Sequence, residues 1–216
     1  MRTPIRLLVL SGVLAGALVA AAGPAQAGSH VTIEKGHVDV IGVAYEDGRL
    51  HLHVHDESIE PDVEREPEDV TFRVLPEAET TVPADPSFSF LGSAGDPVWI
   101  LPQVQNPDLL WAGLGTEELE PGILAGDKVN VTVLAVGPGD VALYTENAFG
   151  LPADVLVDTG DGQPDTFGLT AANHVHLNWA FEEPGNYWLV VAVTGRLASN
   201  GHAVADAGLY HFQVLS

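Results

Sequence analysis

The chain has 216 residues, of which 30 are Asp or Glu and 8 are Lys or Arg, so its formal net charge at pH 7 is −22. A surface this acidic repels nucleic acid and anionic lipid and attracts cations, which excludes nucleic acid as an expected partner. The chain has no cysteines, which excludes disulfide bonds and thiolate metal ligands and leaves His, Asp, Glu and backbone oxygen to hold any metal.

Residues 1–27 have the three parts of a secretory signal peptide. Arg2 and Arg6 precede an apolar stretch from Leu7 to Ala22, and the segment Ala25-Gln26-Ala27 is a small-x-small cleavage site. The apolar stretch has about 16 residues, fewer than the roughly 20 of a membrane-spanning helix. We therefore predict a secreted, extracellular mature protein that does not insert into the membrane, with an uncleaved N-terminal anchor as the alternative.

Residues 28–216 alternate between apolar and polar side chains, with interruptions by glycine, proline and aspartate, which predicts many short strands. The predicted strands span about 37–45, 50–56, 69–75, 97–101, 128–136, 140–146, 153–157, 174–181, 186–194 and 207–215. The 15 prolines and 23 glycines suit turns and sheet edges. We predict one all-β domain, an immunoglobulin-like β-sandwich with long Pro/Gly-rich loops, above all from Pro76 to Gly126, with two tightly packed subdomains as the alternative.

The turn Pro184-Gly185 leads through Tyr187 into an apolar strand, a pattern typical of the closing strand pair of immunoglobulin-like sandwiches. We expect Tyr187 to be a corner tyrosine, with its ring packed in the core and its hydroxyl bonded to nearby backbone. An exposed ring is the alternative.

The histidines form alternating sets. His51, His53 and His55 are separated by single residues, as are His174 and His176, and His37 is followed by Asp39 with the same spacing. Because successive side chains of a strand face opposite sides, each set presents its polar groups on one face and its aliphatic neighbours on the other.

The turn between the first two predicted strands determines whether these groups share a face. A three-residue loop, Glu46 to Gly48, places Asp39 opposite His55 and His37 on the same face. A two-residue loop, Asp47-Gly48, places His37 and Asp39 on the other face. We favour the three-residue loop because it also gathers the aliphatic residues into one core face.

Zinc prefers three or four nitrogen or oxygen ligands in a tetrahedron, and neutral imidazole is its usual nitrogen donor. His174 and His176, together with His55 and either His37 or Asp39, would supply that set if the two segments are neighbours. The candidate metal ligands are His37, Asp39, His53, His55, His174 and His176. Because ligating imidazoles must be neutral, we expect affinity to fall below about pH 6.5. The alternatives are histidines on a solvated face and buried, hydrogen-bonded histidines.

Several segments resemble one family. The stretch from His174 to Phe181, the turn Pro184 to Tyr187 and the ending Phe212-Gln213-Val214 resemble the short repeat of actinobacterial surface-anchored proteins, also described as choice-of-anchor M domain proteins. Upstream, Gly36 to Asp39 and Leu110 to Glu118 are similar to the same family.

The resemblance implies an exported protein at the cell surface that handles a metal such as zinc or manganese, in association with a metal-type ABC transporter. The family's histidine motifs fall on His37, His55, His174 and His176. The chain has one copy of the repeat, at 174–214, and no anchor motif before Ser216, so we expect no covalent attachment to the cell wall.

Enzymatic motifs are absent from the sequence. It has no Gly-x-Ser-x-Gly elbow and no phosphate-binding glycine loop. The segment His53-x-His55 matches only half of a cupin metal motif. We therefore expect a binding protein without catalytic activity, and the alternative to metal binding is a module that binds cell-wall glycan or another protein.

Overall fold

A computed structural model describes residues 29–216, and the predicted signal peptide at 1–27 lies outside them. The strands are β1 (Val31–Ile33), β2 (Gly36–Glu46), β3 (Arg49–Asp56), β4 (Val63–Arg65), β5 (Val70–Val74), β6 (Glu79–Thr81), β7 (Pro97–Leu101), β8 (Leu110–Gly115), β9 (Lys128–Val136), β10 (Val141–Glu146), β11 (Pro152–Asp158), β12 (Asp165–Thr170), β13 (His174–His176), β14 (Asn178–Phe181), β15 (Gly185–Arg196) and β16 (Ala203–Val214). Short 3-10 helices lie at Pro67–Asp69, Pro76–Ala78, Pro86–Leu91, Ala125–Asp127 and Thr159–Asp161. Within the described range, no helix has the length and apolar character to cross a membrane.

The strands form three sheets. Sheet A has the order β1-β5-β16-β15-β9-β12, sheet B has the order β13-β8-β2-β3-β4, and sheet C has the order β11-β10-β14-β7-β6. Aromatic rings join sheets A and C, since Phe212 of β16 lies 5.5 Å from Trp179 and 5.2 Å from Phe181 of β14 between ring centroids. The predicted all-β sandwich is therefore confirmed, with three sheets around a largely continuous core.

Tyr187 is the predicted corner tyrosine. Its ring is fully buried. Its hydroxyl donates to the Glu183 carbonyl at 2.7 Å and accepts from the Glu183 backbone N–H at 3.1 Å. These contacts fix the turn into β15.

The hairpin between β2 and β3 differs from the favoured prediction. Glu46 pairs with Arg49, so the loop is the two-residue Asp47-Gly48, and both residues have positive φ as this tight turn requires. A bulge between Asp39 and Gly42 then inserts an extra residue and returns Asp39 to the position opposite His55. The loop prediction was wrong, but the predicted common face for His37, Asp39, His53 and His55 is what the register produces.

Sheet B depends on two features that the strand prediction missed. Strand β8 lies within the predicted loop region, and it pairs in parallel with β2 and antiparallel with β13. The predicted strand 174–181 is divided at Leu177, so that His174–His176 joins sheet B while Asn178–Phe181 joins sheet C. Strand β8 thus holds β2 and β13 on either side of itself.

Candidate metal centre

Four of the six predicted ligands meet over strand β8. In the strand register, Asp39 of β2 and His176 of β13 both pair with Gly113, one from each side. His37 and His174 lie two residues away on their own strands, on the same faces. All four side chains therefore lie over the part of β8 that contains Gly113 and Gly115.

The donor nitrogens of His37, His174 and His176 all lie within 4.8 Å of one another, and the Asp39 carboxylate lies beside two of these histidines. His37 Nε2 is 3.2 Å from His174 Nε2, which is 3.0 Å from His176 Nε2. Asp39 Oδ1 is 3.3 Å from His174 Nε2 and 3.7 Å from His37 Nε2. We name the group formed by His37, Asp39, His174 and His176 the four-residue centre.

The second nitrogen of each imidazole in the four-residue centre contacts an oxygen of the protein. Carboxylate and carbonyl oxygens only accept hydrogen bonds, so each Nδ1 donates and, in a neutral ring, each Nε2 keeps its lone pair. The oxygens belong to Glu57 for His37, to Glu117 at 3.1 Å for His174 and to the Ala112 carbonyl at 3.1 Å for His176. Partners of this kind orient the rings of metal-binding histidines.

Three lone pairs and a carboxylate oxygen that face one another repel unless a cation or a proton lies between them. A neutral imidazole that carries its proton on Nδ1 has no N–H at Nε2. The short distances between Nε2 atoms are therefore not hydrogen bonds between neutral rings. The arrangement is therefore one that a bound cation would stabilise.

His176 is held in the neutral form that metal binding needs. Its ring stacks on Trp111 with 3.7 Å between centroids and 5° between planes. Burial lowers the pKa of His176 to about 4, against a smaller opposing effect of its bond to the Ala112 carbonyl. His176 can therefore ligate a metal at neutral pH without first losing a proton.

Asp39 has an unpaired acceptor in the centre. The residue is 2% exposed, and its Oδ1 has no hydrogen-bond partner among the described residues. Burial raises the pKa of Asp39, and the positive forms of His174 and His37 act in the opposite direction. A buried carboxylate oxygen without a partner is costly in the absence of a ligand.

Glycine residues of β8 provide the space for the centre. A Cβ on Gly113 would overlap Asp39 Oδ1 and would lie 3.1 Å from His176 Cε1 and 3.4 Å from His174 Nε2. A Cβ on Gly115 would overlap Asp39 Oδ2. Any side chain at these positions would occupy the volume that the donor atoms surround.

The other two predicted ligands lie outside the four-residue centre. His55 Nε2 is hydrogen-bonded to Asp62 Oδ2 at 2.8 Å. His53 is 3% exposed and belongs to a separate group with Glu64 and Glu118. The sequence predicted that His55 and one of His37 and Asp39 would join His174 and His176. In the structure both His37 and Asp39 lie beside His174, and His55 bonds to Asp62 instead.

Sequence reasoning missed the residues that support the centre. Trp111, Gly113 and Glu117 all belong to the segment that suggested the family resemblance, but their roles depend on β8 being a strand. Glu57 follows the His55-Asp56 pair and was likewise not assigned a role.

Comparison with protein-family models, curated proteins and solved structures found no match for this chain.

Proposed function

We propose that this protein is an exported zinc-binding module that acts at the cell surface, with a binding rather than a catalytic role. The observation that carries the proposal is the group of imidazole nitrogens of His37, His174 and His176, which all lie within 4.8 Å of one another, with the unpaired Asp39 Oδ1 3.3 Å from His174 Nε2. The predicted signal peptide and the acidic composition support it, since an acidic surface attracts cations.

The donor set favours zinc over calcium or magnesium. Calcium and magnesium prefer oxygen ligands, whereas zinc is bound by histidine nitrogen together with carboxylate oxygen. Ligand atoms about 2.0–2.1 Å from a tetrahedral zinc lie about 3.3–3.4 Å from one another. The four separations given above, from 3.0 to 3.7 Å, surround that value.

The centre is accessible enough for the ion to exchange. The side chains of His37 and His174 are 19% and 25% exposed, while Asp39 beneath them is buried. A partly open centre suits a protein that captures an ion and passes it on. The resemblance to surface-anchored proteins suggests a metal-type ABC transporter as the recipient and cell-surface association as the location.

Zinc is expected to raise the thermal unfolding midpoint of the metal-free mature protein by about 10 °C. A ligand at a thousandfold excess over its Kd stabilises the folded state by about 4 kcal/mol, and 1 kcal/mol corresponds to about 2–4 °C for a chain of this size. Differential scanning calorimetry in excess EDTA and in excess zinc would measure the shift. Equal midpoints in the two conditions, together with no heat of zinc binding, would remove the proposal.

Asp39→Asn is expected to stabilise the metal-free protein by about 1 kcal/mol at pH 7 while weakening zinc binding at least tenfold. Because burial raises the folded pKa of Asp39, ionisation of this carboxyl disfavours folding, and the cost appears as the pH rises through the folded value. Asparagine carries no charge and can donate to the neighbouring Nε2 atoms. The gain should therefore shrink as the pH falls towards 3.8, the ordinary value of an aspartate.

Urea unfolding in EDTA and zinc calorimetry together would measure the two effects of Asp39→Asn. A variant that is less stable without metal and binds zinc normally would show that Asp39 is a structural residue.

A surface-interaction module is the second candidate function. Sheet A exposes a contiguous apolar patch, because Leu134 pairs with Val190, Val136 pairs with Trp188, and Val190 also pairs with Leu209. All five side chains are more than one-third exposed, and exposed patches of this kind mark binding surfaces. A pull-down on purified cell wall that succeeds equally with and without chelator would favour this alternative.

A further inference from the structure

A second group of potential ligands lies on the same sheet, away from the four-residue centre. His53 of β3, Glu64 of β4 and Glu118 of the turn after β8 each place one donor atom within 4.8 Å of the others. His53 Nε2 lies 3.6 Å from Glu118 Oε2, which is too long for a hydrogen bond. The three residues come from separate elements of sheet B and its adjoining turn.

His53 is buried without the partners that a buried imidazole normally has. The residue is 3% exposed, and its Nδ1 has no hydrogen-bond partner among the described residues. Burial lowers the pKa of His53 to about 4, so the ring is neutral at pH 7 and does not form an ion pair with Glu118. Burial and the nearby charge of Glu64 raise the pKa of Glu118. The group thus combines a neutral imidazole with two carboxylates and no cation of its own.

The backbone beneath His53 makes room for the ring. A Cβ on Gly42 would lie 2.7 Å from His53 Cδ2 and 2.9 Å from His53 Cε1, so the imidazole can lie against β2 only because residue 42 is glycine. This packing fixes the ring where it faces Glu118. Gly113 makes room for the side chains of the four-residue centre in the same way.

Solvent reaches the group from outside. An open cleft of about 440 Å³ is lined by His53, Glu64 and their neighbours His51 and Glu66. A small cavity of about 10 Å³ is lined by residues of both groups, among them Asp39, His53 and Glu118. The cleft therefore gives an ion access to His53 and Glu64 of the second group.

We propose that His53, Glu64 and Glu118 form a second, weaker site for a divalent transition-metal cation. One imidazole nitrogen with two carboxylate oxygens matches ions such as zinc or manganese better than calcium or magnesium, which prefer all-oxygen sites. The site is weaker because it has a single nitrogen donor and because Glu118 is partly exposed. The neighbours Glu117 and Glu118 then serve different sites, since Glu117 contacts His174 and Glu118 contacts His53.

The test counts zinc ions on the metal-free, full-length mature protein by native mass spectrometry and calorimetry. The wild type is expected to bind two ions, and Glu118→Gln is expected to lose the weaker one by at least tenfold in affinity while keeping the tighter one. Glu117→Gln is the matched control, expected to weaken the tighter ion about tenfold and to leave the weaker one unchanged. His53→Gln provides a second variant from the buried side of the site.

The outcomes separate this proposal from the proposed function. A single ion that persists in Glu118→Gln and His53→Gln but is lost in His174→Ala/His176→Ala overturns the second site alone. A single ion with the opposite behaviour supports the second site and overturns the four-residue centre. Two ions that both persist in Glu118→Gln and His53→Gln also overturn the second site.

Discussion

Zinc is expected to bind the double variant His174→Ala/His176→Ala at least about 1,000-fold more weakly than the wild type. Structural zinc sites bind with about 10–16 kcal/mol, or roughly 2.5–4 kcal/mol for each of four ligands. Removing two of the three imidazole donors therefore leaves too few ligands to compete with water. Both side chains belong to the short edge strand β13 and are partly exposed, so their truncation leaves the core intact.

His55→Ala is the matched control for the double variant. His55 lies on the same face of sheet B and is 20% exposed, but its Nε2 bonds to Asp62 and not to the four-residue centre. Its zinc affinity should stay within about threefold of the wild-type value, which is less than the tenfold typical of losing a supporting partner. Isothermal titration calorimetry at pH 7 would compare all three proteins. Zinc affinity that survives in the double variant but falls in His55→Ala would exclude the four-residue centre and would show that zinc binds at a different site that includes His55.

Gly113→Ala is expected to lower zinc affinity about 100-fold or more although it removes no ligand. The added methyl group would overlap Asp39 Oδ1 and would lie 3.4 Å from His174 Nε2, so the carboxylate must move away from the imidazoles. Loss of one ligand from a zinc site costs roughly 3 kcal/mol, which corresponds to a factor of about 100. Histidines that only decorate a surface would not respond to a methyl group on a neighbouring strand.

Gly168→Ala in β12 tests whether adding a methyl group to a strand glycine is itself harmful. The nearest atom to a Cβ there is the Val129 carbonyl oxygen at 4.0 Å, so the variant should fold and bind zinc as the wild type does. Circular dichroism would show that both glycine variants keep their strands. Equal zinc affinity in Gly113→Ala and the wild type would exclude the space above Gly113 as the metal position.

The alternation of apolar and polar residues along β2 and β3 was sufficient to predict which residues share a face of the sheet. The two-residue period of a strand correctly placed the aliphatic residues Leu50, Leu52 and Val54 in the core and grouped the histidines opposite them. The bulge at Val40 and Ile41 could not be read from the pattern, because both residues are aliphatic and both are buried. The correct face was therefore predicted through the wrong loop.

Long-range pairing was not predictable in the same way. Strand β8 has the sequence Leu-Trp-Ala-Gly-Leu-Gly, and glycines in a short segment argue for a loop when no partner strand is known. Here Gly113 and Gly115 leave the space that is filled by side chains of β2 and β13. The division of 174–181 at Leu177 likewise depends on distant strands, because its first half pairs with β8 in sheet B and its second half pairs with β7 and β10 in sheet C. These are tertiary effects, and they are why His55 was favoured over the combination of His37 and Asp39.

The donor atoms of His37 and His174 meet across 137 positions of the chain. An ion held there would close a loop that includes most of the mature protein, which is the task that disulfide bonds perform in many exported domains. Strand β13 is attached to its sheet through three residue pairs, so an ion held between β2 and β13 would add to the few contacts that keep this edge in place. In a protein without cysteine, occupancy by metal would thus determine how firmly β13 stays paired with sheet B, and release of the ion would loosen that edge.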